Sequence, residues 1–245
     1  MSSVKDIIND RVRESLIIMK KELFSYFASP IAYIVIIVFL IFTGLLFFQN
    51  YFIRGLADMR GFFQLLPWLF SILVPAVTMK LFAEEKHTGS IEMLLTLPVT
   101  TMDVVIGKLL AATLFCIIML IPTSLYVVTV AMSGTIDIGP VIGGYAGSIL
   151  LAACYASVGL FASSITRNQI ISLLVALIIC FLFTAIDQII FFIPGFVAGL
   201  LEYAGTAFHF KNISKGVIDT RDLIYFASFI SVFVLITVKY VDERK

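Results

Sequence analysis

Six apolar runs, each long enough to cross a bilayer as a helix, constrain this chain more than any other feature. They lie near 31–49, 62–82, 104–131, 141–165, 168–193 and 223–240. Each supplies the roughly 20 residues that a helix needs to cross ~30 Å of hydrocarbon. At that depth no water bonds a free N–H or C=O, so spanning elements are helices or a closed barrel. Barrel strands alternate between lipid-facing and lumen-facing residues; these runs are continuous. The expected fold class is therefore an all-α membrane protein. Residues 30–245 form one six-helix domain, and residues 1–29 precede it as an amphipathic helix. Hydrophobic residues make up 60% of the chain and charged residues 13%, about half the charge of an ordinary soluble domain.

The net charge of +1 offers no basic field for nucleic acid. Cys116, Cys154 and Cys180 all fall inside predicted spans, without zinc or redox spacing, and an odd number gives no disulfide framework. They read as small apolar packing residues. The first 29 residues carry Lys5, Arg11, Arg13, Lys20 and Lys21 before any long apolar run, which is not the layout of a signal peptide.

Basic residues set the orientation. With the N-terminus in the cytoplasm, twelve Lys and Arg fall inside (Lys5, Arg11, Arg13, Lys20, Lys21, Lys80, Lys86, Lys108, Arg167, Lys239, Arg244, Lys245) and five outside (Arg54, Arg60, Lys211, Lys215, Arg221). Six spans then return the C-terminus to the cytoplasm.

Within 4–28, Val4, Ile8, Val12, Leu16, Met19, Leu23 and Phe27 recur at three- and four-residue spacing among charges, the pattern of a helix lying in the membrane interface. Pro30 marks the first turn of the first span. Pro67 and Pro75 predict kinks in the second. The segment from Phe82 to Val99 is the most polar connection between spans. Thr88, Gly89 and Ser90 are placed to start a short helix with Glu92 in its first turn, and Ile91, Leu94 and Leu95 give it an apolar stripe. Pro98 ends it, and Thr100 with Asp103 forms a capping-box pattern for the third span. One apolar and one charged face suit a docking surface, although a solvated helical loop has the same look. In the fourth span Gly144, Ser148, Ala152 and Ala156 repeat every four residues beside Gly143 and Gly147, letting backbones approach closely. Arg167 and Asn168 mark a tight inner turn. Residues 194–222 form the longest outer connection, too short to cross, and fit a re-entrant or interfacial hairpin. Asp187, near the outer end of the fifth span, and Glu202 beyond it are functional candidates as ionisable groups at membrane level.

No catalytic constellation stands out. His87 and His209 fall on opposite sides, and Glu84-Glu85 with His87 lacks the paired histidines of a zinc helix. Neither a metal site nor a catalytic residue is expected. Gly107-Lys108 is followed by Leu109 without the glycine spacing of a phosphate-binding loop, so any ATP that drives this protein binds another chain.

The stretch from Glu84 through Glu-Lys-His-Thr-Gly-Ser-Ile-Glu-Met-Leu-Leu-Thr-Leu-Pro-Val to Gly107-Lys108 resembles the hallmark segment of type-2 ABC exporter permeases. Lys21-Glu22-Leu23, Tyr26, Ser29-Pro30 and Tyr33 are similar to the start of those proteins. The tail from His209-Phe210 through Asp219 and Arg221 to Tyr225-Phe226 most resembles the subgroup of the gliding-motility-associated and copper-site-maturation permeases. The chain departs from the family at Lys86-His87, where arginine is common. The resemblance implies a bacterial inner-membrane subunit with six spans, an N-terminal interfacial helix, a cytoplasmic coupling helix between spans two and three, and short outer helices between spans five and six. It implies a cytoplasmic ABC ATPase carrying ATP and Mg, a second permease subunit, surrounding lipids and a periplasmic accessory protein. Glu84, Glu85, Thr88, Gly89, Ile91, Glu92, Leu94 and Leu95 would then form the ATPase-coupling surface. Rival expectations are a scaffold of the same architecture that transmits force without moving solute, a channel needing no ATPase, and an intramembrane hydrolase. The polar lining of a channel and the constellation of a hydrolase are both missing.

Overall fold

The computed structural model describes residues 4–54, 58–90, 99–189, 199, 203–217 and 219–243. Among them the secondary structure is helical: α1 (Val4–Ala28), α2 (Pro30–Arg54), α3 (Arg60–Thr78), α4 (Lys80–Thr88), α5 (Thr101–Leu120), α6 (Ser124–Ser133), α7 (Ile138–Ile165), α8 (Gln169–Ile189), α9 (Thr206–Ile213) and α10 (Thr220–Asp242). Six stretches are long and apolar enough to cross a membrane, and they fall on the six runs expected: Pro30–Ile53, Arg60–Thr88, Thr101–Ser133, Ile138–Ile165, Gln169–Ile189 and Thr220–Asp242.

Local chemistry fixes the helix starts. Pro30 opens α2 at the position where its missing N–H costs nothing. Thr100 and Asp103 cap α5 reciprocally, as their spacing predicts. The carboxylate of Asp137 accepts from Gly139 N–H at 3.2 Å at the start of α7, and Asn168 Oδ1 accepts from Ile170 N–H at 2.8 Å at the start of α8. The third span is not one regular helix. Pro122 sits in a 3-10 turn, Ile121–Thr123, that joins α5 to α6, because proline removes a ladder donor and crowds the preceding turn.

α7 lies at the centre of the bundle. In its apolar window 72% of residues are buried, against 22% in both α8 and α10, which keep broad apolar faces on the outside. The small residues of α7 serve packing within the chain. A Cβ on Gly144 would run into the ring of Phe63 on α3, and one on Gly143 into the Ile213 carbonyl of α9.

α1 packs on α5, where a Cβ on Gly107 would lie 2.8 Å from both the Ser15 carbonyl oxygen and Ile18 Cβ. Ser15 and Tyr26 are buried on that face, whereas Val12, Leu16, Ile17 and Phe24 are exposed. The last helix reaches the same end of the bundle, where the Thr101 hydroxyl donates to the Asp242 carboxylate. Both ends of the described chain thus lie at what we call the α1 end.

Candidate functional site

At the α1 end, a charge is buried where three elements meet. Lys108 of α5 is fully buried, and its Nζ donates to Glu22 Oε1 of α1, Glu85 Oε1 of α4 and the Leu81 carbonyl, each at 2.8 Å. All three ammonium protons are therefore used. The Phe82 ring lies 5.1 Å from the same nitrogen. Two carboxylates around one ammonium leave a surplus negative charge, and Glu85 Oε2 has no partner among the described residues. An ion cluster of this kind is costly to break, since loss of the cation strands two carboxylates. Beside it, burial, aided by the Glu22 carboxylate, pushes the Tyr26 phenol well above its usual range. It stays a donor and bonds the Val77 carbonyl at 3.2 Å.

α4 prolongs the second span as an arm. Leu81, Phe82 and Ala83 are buried, and Glu84, His87 and Thr88 are exposed. Lys86 donates to the Ser164 carbonyl of α7 and lies 5.2 Å from the Tyr240 ring, so it braces the arm against α7 and α10. Between α1 and α4 runs a groove of about 240 Å³ lined by Lys21, Glu22, Lys80, Glu84, Glu85 and Thr88.

One expectation for this segment needs correction. Glu84 to His87 belong to a helix continuing the second span, not to the connection after it. Thr88 and Gly89 also close that helix. The Thr88 hydroxyl bonds back to the Glu84 carbonyl at 3.0 Å, and Gly89 takes the left-handed conformation at φ 74° that ends helices without strain. Ser90 is helical again, with its Oγ 2.9 Å from Thr88 Oγ1. Ile91, Glu92, Leu94 and Leu95 lie outside the described residues.

The opposite end carries different chemistry. Asp187 lines a cleft of about 410 Å³ between α3, α8 and α9, with Gln64, Trp68, Gln188, Lys211 and Ser214. Glu202 lies outside the described residues. Behind the cleft, His209 Nδ1 stands 2.6 Å from Asp222 Oδ1 and Nε2 stands 3.1 Å from the Tyr203 carbonyl. His209 thus bridges the Asp222 carboxyl group of α10 and the backbone of Tyr203. The ring also stacks on Tyr225 with centroids 3.9 Å apart. Deeper in, Tyr155 Oη of α7 meets Thr184 Oγ1 of α8 at 2.5 Å and Thr206 Oγ1 of α9 at 2.9 Å.

The structure thus unites Glu84, Glu85 and Thr88 on one arm and places Asp187 in a cleft at the far end. Sequence reading missed Lys108, Glu22 and the His209–Asp222 pair as functional groups. Lys108 left a signal, because a lysine within an apolar run demands a partner. No group of three or more metal-ligating side chains comes together among the described residues.

The sequence matches a family model described as ABC-2 family transporter protein over residues 16–203. That stretch includes Glu22, Glu85 and Lys108 and ends before His209 and Asp222. None of the curated proteins matches the chain.

Proposed function

The chain belongs to the ABC-2 transporter family, and from that premise we propose that it is the membrane-spanning, non-catalytic subunit of an ATP-binding cassette exporter, driven from its α1 end. In this reading the α1 end faces the cytoplasm of a bacterial cell and the chain sits in the inner membrane. The supporting charge count puts twelve Lys and Arg on that side. The exposed apolar residues Val12, Leu16, Ile17 and Phe24 then rest α1 in the lipid interface.

One observation carries the reading: an arm whose inner face is tied to the bundle and whose tip is free. Glu85 and Leu81 hold Lys108, while Glu84, His87, Thr88 and Gly89 stand exposed beside a charged groove. A cytoplasmic ATPase carrying ATP and Mg docks there, with Ile91, Glu92, Leu94 and Leu95 completing the surface. Its movement enters through α4 and reaches α5 and α1 through the ion cluster. A second permease subunit completes the pore-forming unit, as in the gliding-motility and copper-site-maturation subgroup that the tail resembles. The 410 Å³ cleft holding Asp187 opens on the outer face, where a periplasmic accessory protein would engage it.

Co-purification in detergent with the candidate ATPase encoded beside the chain tests this. Wild type captures the ATPase, and the double replacement of Glu92 and Leu95 by alanine abolishes capture while membrane abundance stays the same. Failure of the wild type to capture any ATPase overturns the reading. Capture and ATP turnover without movement of any solute would favour the force-transmitting scaffold of the same architecture.

A further inference from the structure

Where the second span meets its arm, the helix is interrupted. α3 ends at Thr78 and α4 begins at Lys80. Met79 N–H still reaches the Pro75 carbonyl at 2.9 Å, and Met79 itself is a turn residue between the two helices. An interruption in an apolar setting is expensive unless other groups satisfy the backbone.

Here they come from three different elements. Ser163 Oγ of α7 accepts from the N–H groups of Phe82 and Ala83, both at 2.9 Å, and donates to the Met79 carbonyl at 3.0 Å. Tyr26 of α1 donates to the Val77 carbonyl, and Lys108 of α5 donates to the Leu81 carbonyl. One turn before Ser163, the Thr78 side chain fills the space that a Cβ on Gly159 would need.

Ordinary packing does not give this arrangement. A serine in an apolar helix bonds back to its own ladder, as Ser164 does to the Phe161 carbonyl at 2.7 Å. Ser163, its neighbour, has all its described hydrogen bonds on another helix.

We propose that Val77 to Ala83 form a hinge between the membrane part of the second span and the arm, with the Ser163 hydroxyl as its pivot. Side chains of neighbouring helices satisfy the backbone at this point, so the arm can change direction without stranding a carbonyl or an N–H. A continuous helix would move as one rod and drag α3 with it. Ser163 is a positioning residue. It fixes where the bend occurs, while Tyr26 and Lys108 report the bend to α1 and α5. This role rests on the reading that α4 receives the movement of an ATPase.

The test uses the full chain in lipid nanodiscs. Resting distances are read without ATPase from spin labels at Thr88→Cys on the arm and Arg167→Cys at the end of α7. Capture and the response to ATP are read on the unlabelled chain. Cys116, Cys154 and Cys180 are buried and stay unlabelled. In Ser163→Ala the label-to-label distance distribution broadens. The amides of Phe82 and Ala83 exchange about fivefold faster, the change that corresponds to one ordinary hydrogen bond. With the ATPase bound, unlabelled wild type shows an ATP-dependent shift in the amide exchange of Phe82 and Ala83. Ser163→Ala loses the shift yet captures the ATPase as before. Ser164→Ala behaves as wild type in every readout, and Tyr26→Phe, which removes only the Val77 bond, broadens the distribution if Ser163→Ala does not insert. A resting distribution in Ser163→Ala as narrow as in wild type overturns the hinge, as does a surviving ATP-dependent shift. Failure of the wild type to capture an ATPase overturns the coupling reading instead, and the resting distribution and amide exchange still decide the hinge.

Discussion

At the α1 end a lysine is held by carboxylates 86 and 23 positions away in sequence. At the opposite end His209 and Asp222 are only 13 positions apart. The first arrangement ties the N-terminal helix, the arm and the third span into one unit, so displacement of any of the three is felt by the others. The second stitches a short helix onto the start of the span that follows it. Long-range contacts tie distant elements together, as the proposed transmission of movement requires, and short-range ones hold a local element in place. The hydroxyl contact from Tyr155 to Thr184 and Thr206 belongs with the second kind, because it holds α9 against α7 and α8.

The difference can be broken most forcefully at Lys108. Replacing it by methionine keeps the stem and strands two half-buried carboxylates around a fully buried site, a change expected to cost about 3 kcal/mol. Thermal unfolding in detergent should show a large loss, and adding Glu22→Gln and Glu85→Gln should restore much of it. A single variant that melts like wild type would mean that the cluster does not hold the three elements together.

His209→Phe should cost less, about 1–3 kcal/mol, because it leaves one buried carboxylate without its donor. Hydrogen exchange should rise in 203–217 and stay unchanged in α4. Spread of the effect to the arm would erase the distinction between a local and a long-range cluster.

Tyr155→Phe should lower stability by about 1 kcal/mol, since Thr184 keeps its bond to the Cys180 carbonyl at 2.8 Å. Loosening confined to α9 would sharpen the comparison. Glu243→Ala is the smallest of the four. Its exposed pair with Lys239, at 4.0 Å, should give no measurable change in unfolding, and a change as large as that of His209→Phe would show that surface charge also matters here.

Much of the scaffold was legible in the residues. The runs of leucine, isoleucine, valine and phenylalanine marked every span, and Thr100 with Asp103 marked the start of the third to the residue. The small residues of the fourth span announced close packing, which Gly144 and Phe63 realise. Thr88 and Gly89 were legible only as punctuation. Their residue types suit the end of one helix and the start of another, and the φ of 74° at Gly89 marks the end of α4. Glu85 was assigned to a docking face by the family resemblance of its segment; its place in the ion cluster gave no local signal. Its Oε1 accepts from Lys108, a contact made by the fold of α5 against α4.

The sequence by itself determined that this chain is a six-span helical membrane protein, because apolar length and backbone hydrogen bonding leave a bilayer-spanning chain no other option. Only the tertiary structure decided which polar groups meet inside it. Glu22, Glu85 and Lys108 lie far apart along the chain, as do Ser163 and Met79, and their encounters depend on how helices are rotated and stacked. That rotation is set by small-residue contacts such as Gly107 on α1 and Gly159 on Thr78, whose partners no local pattern of residues reveals.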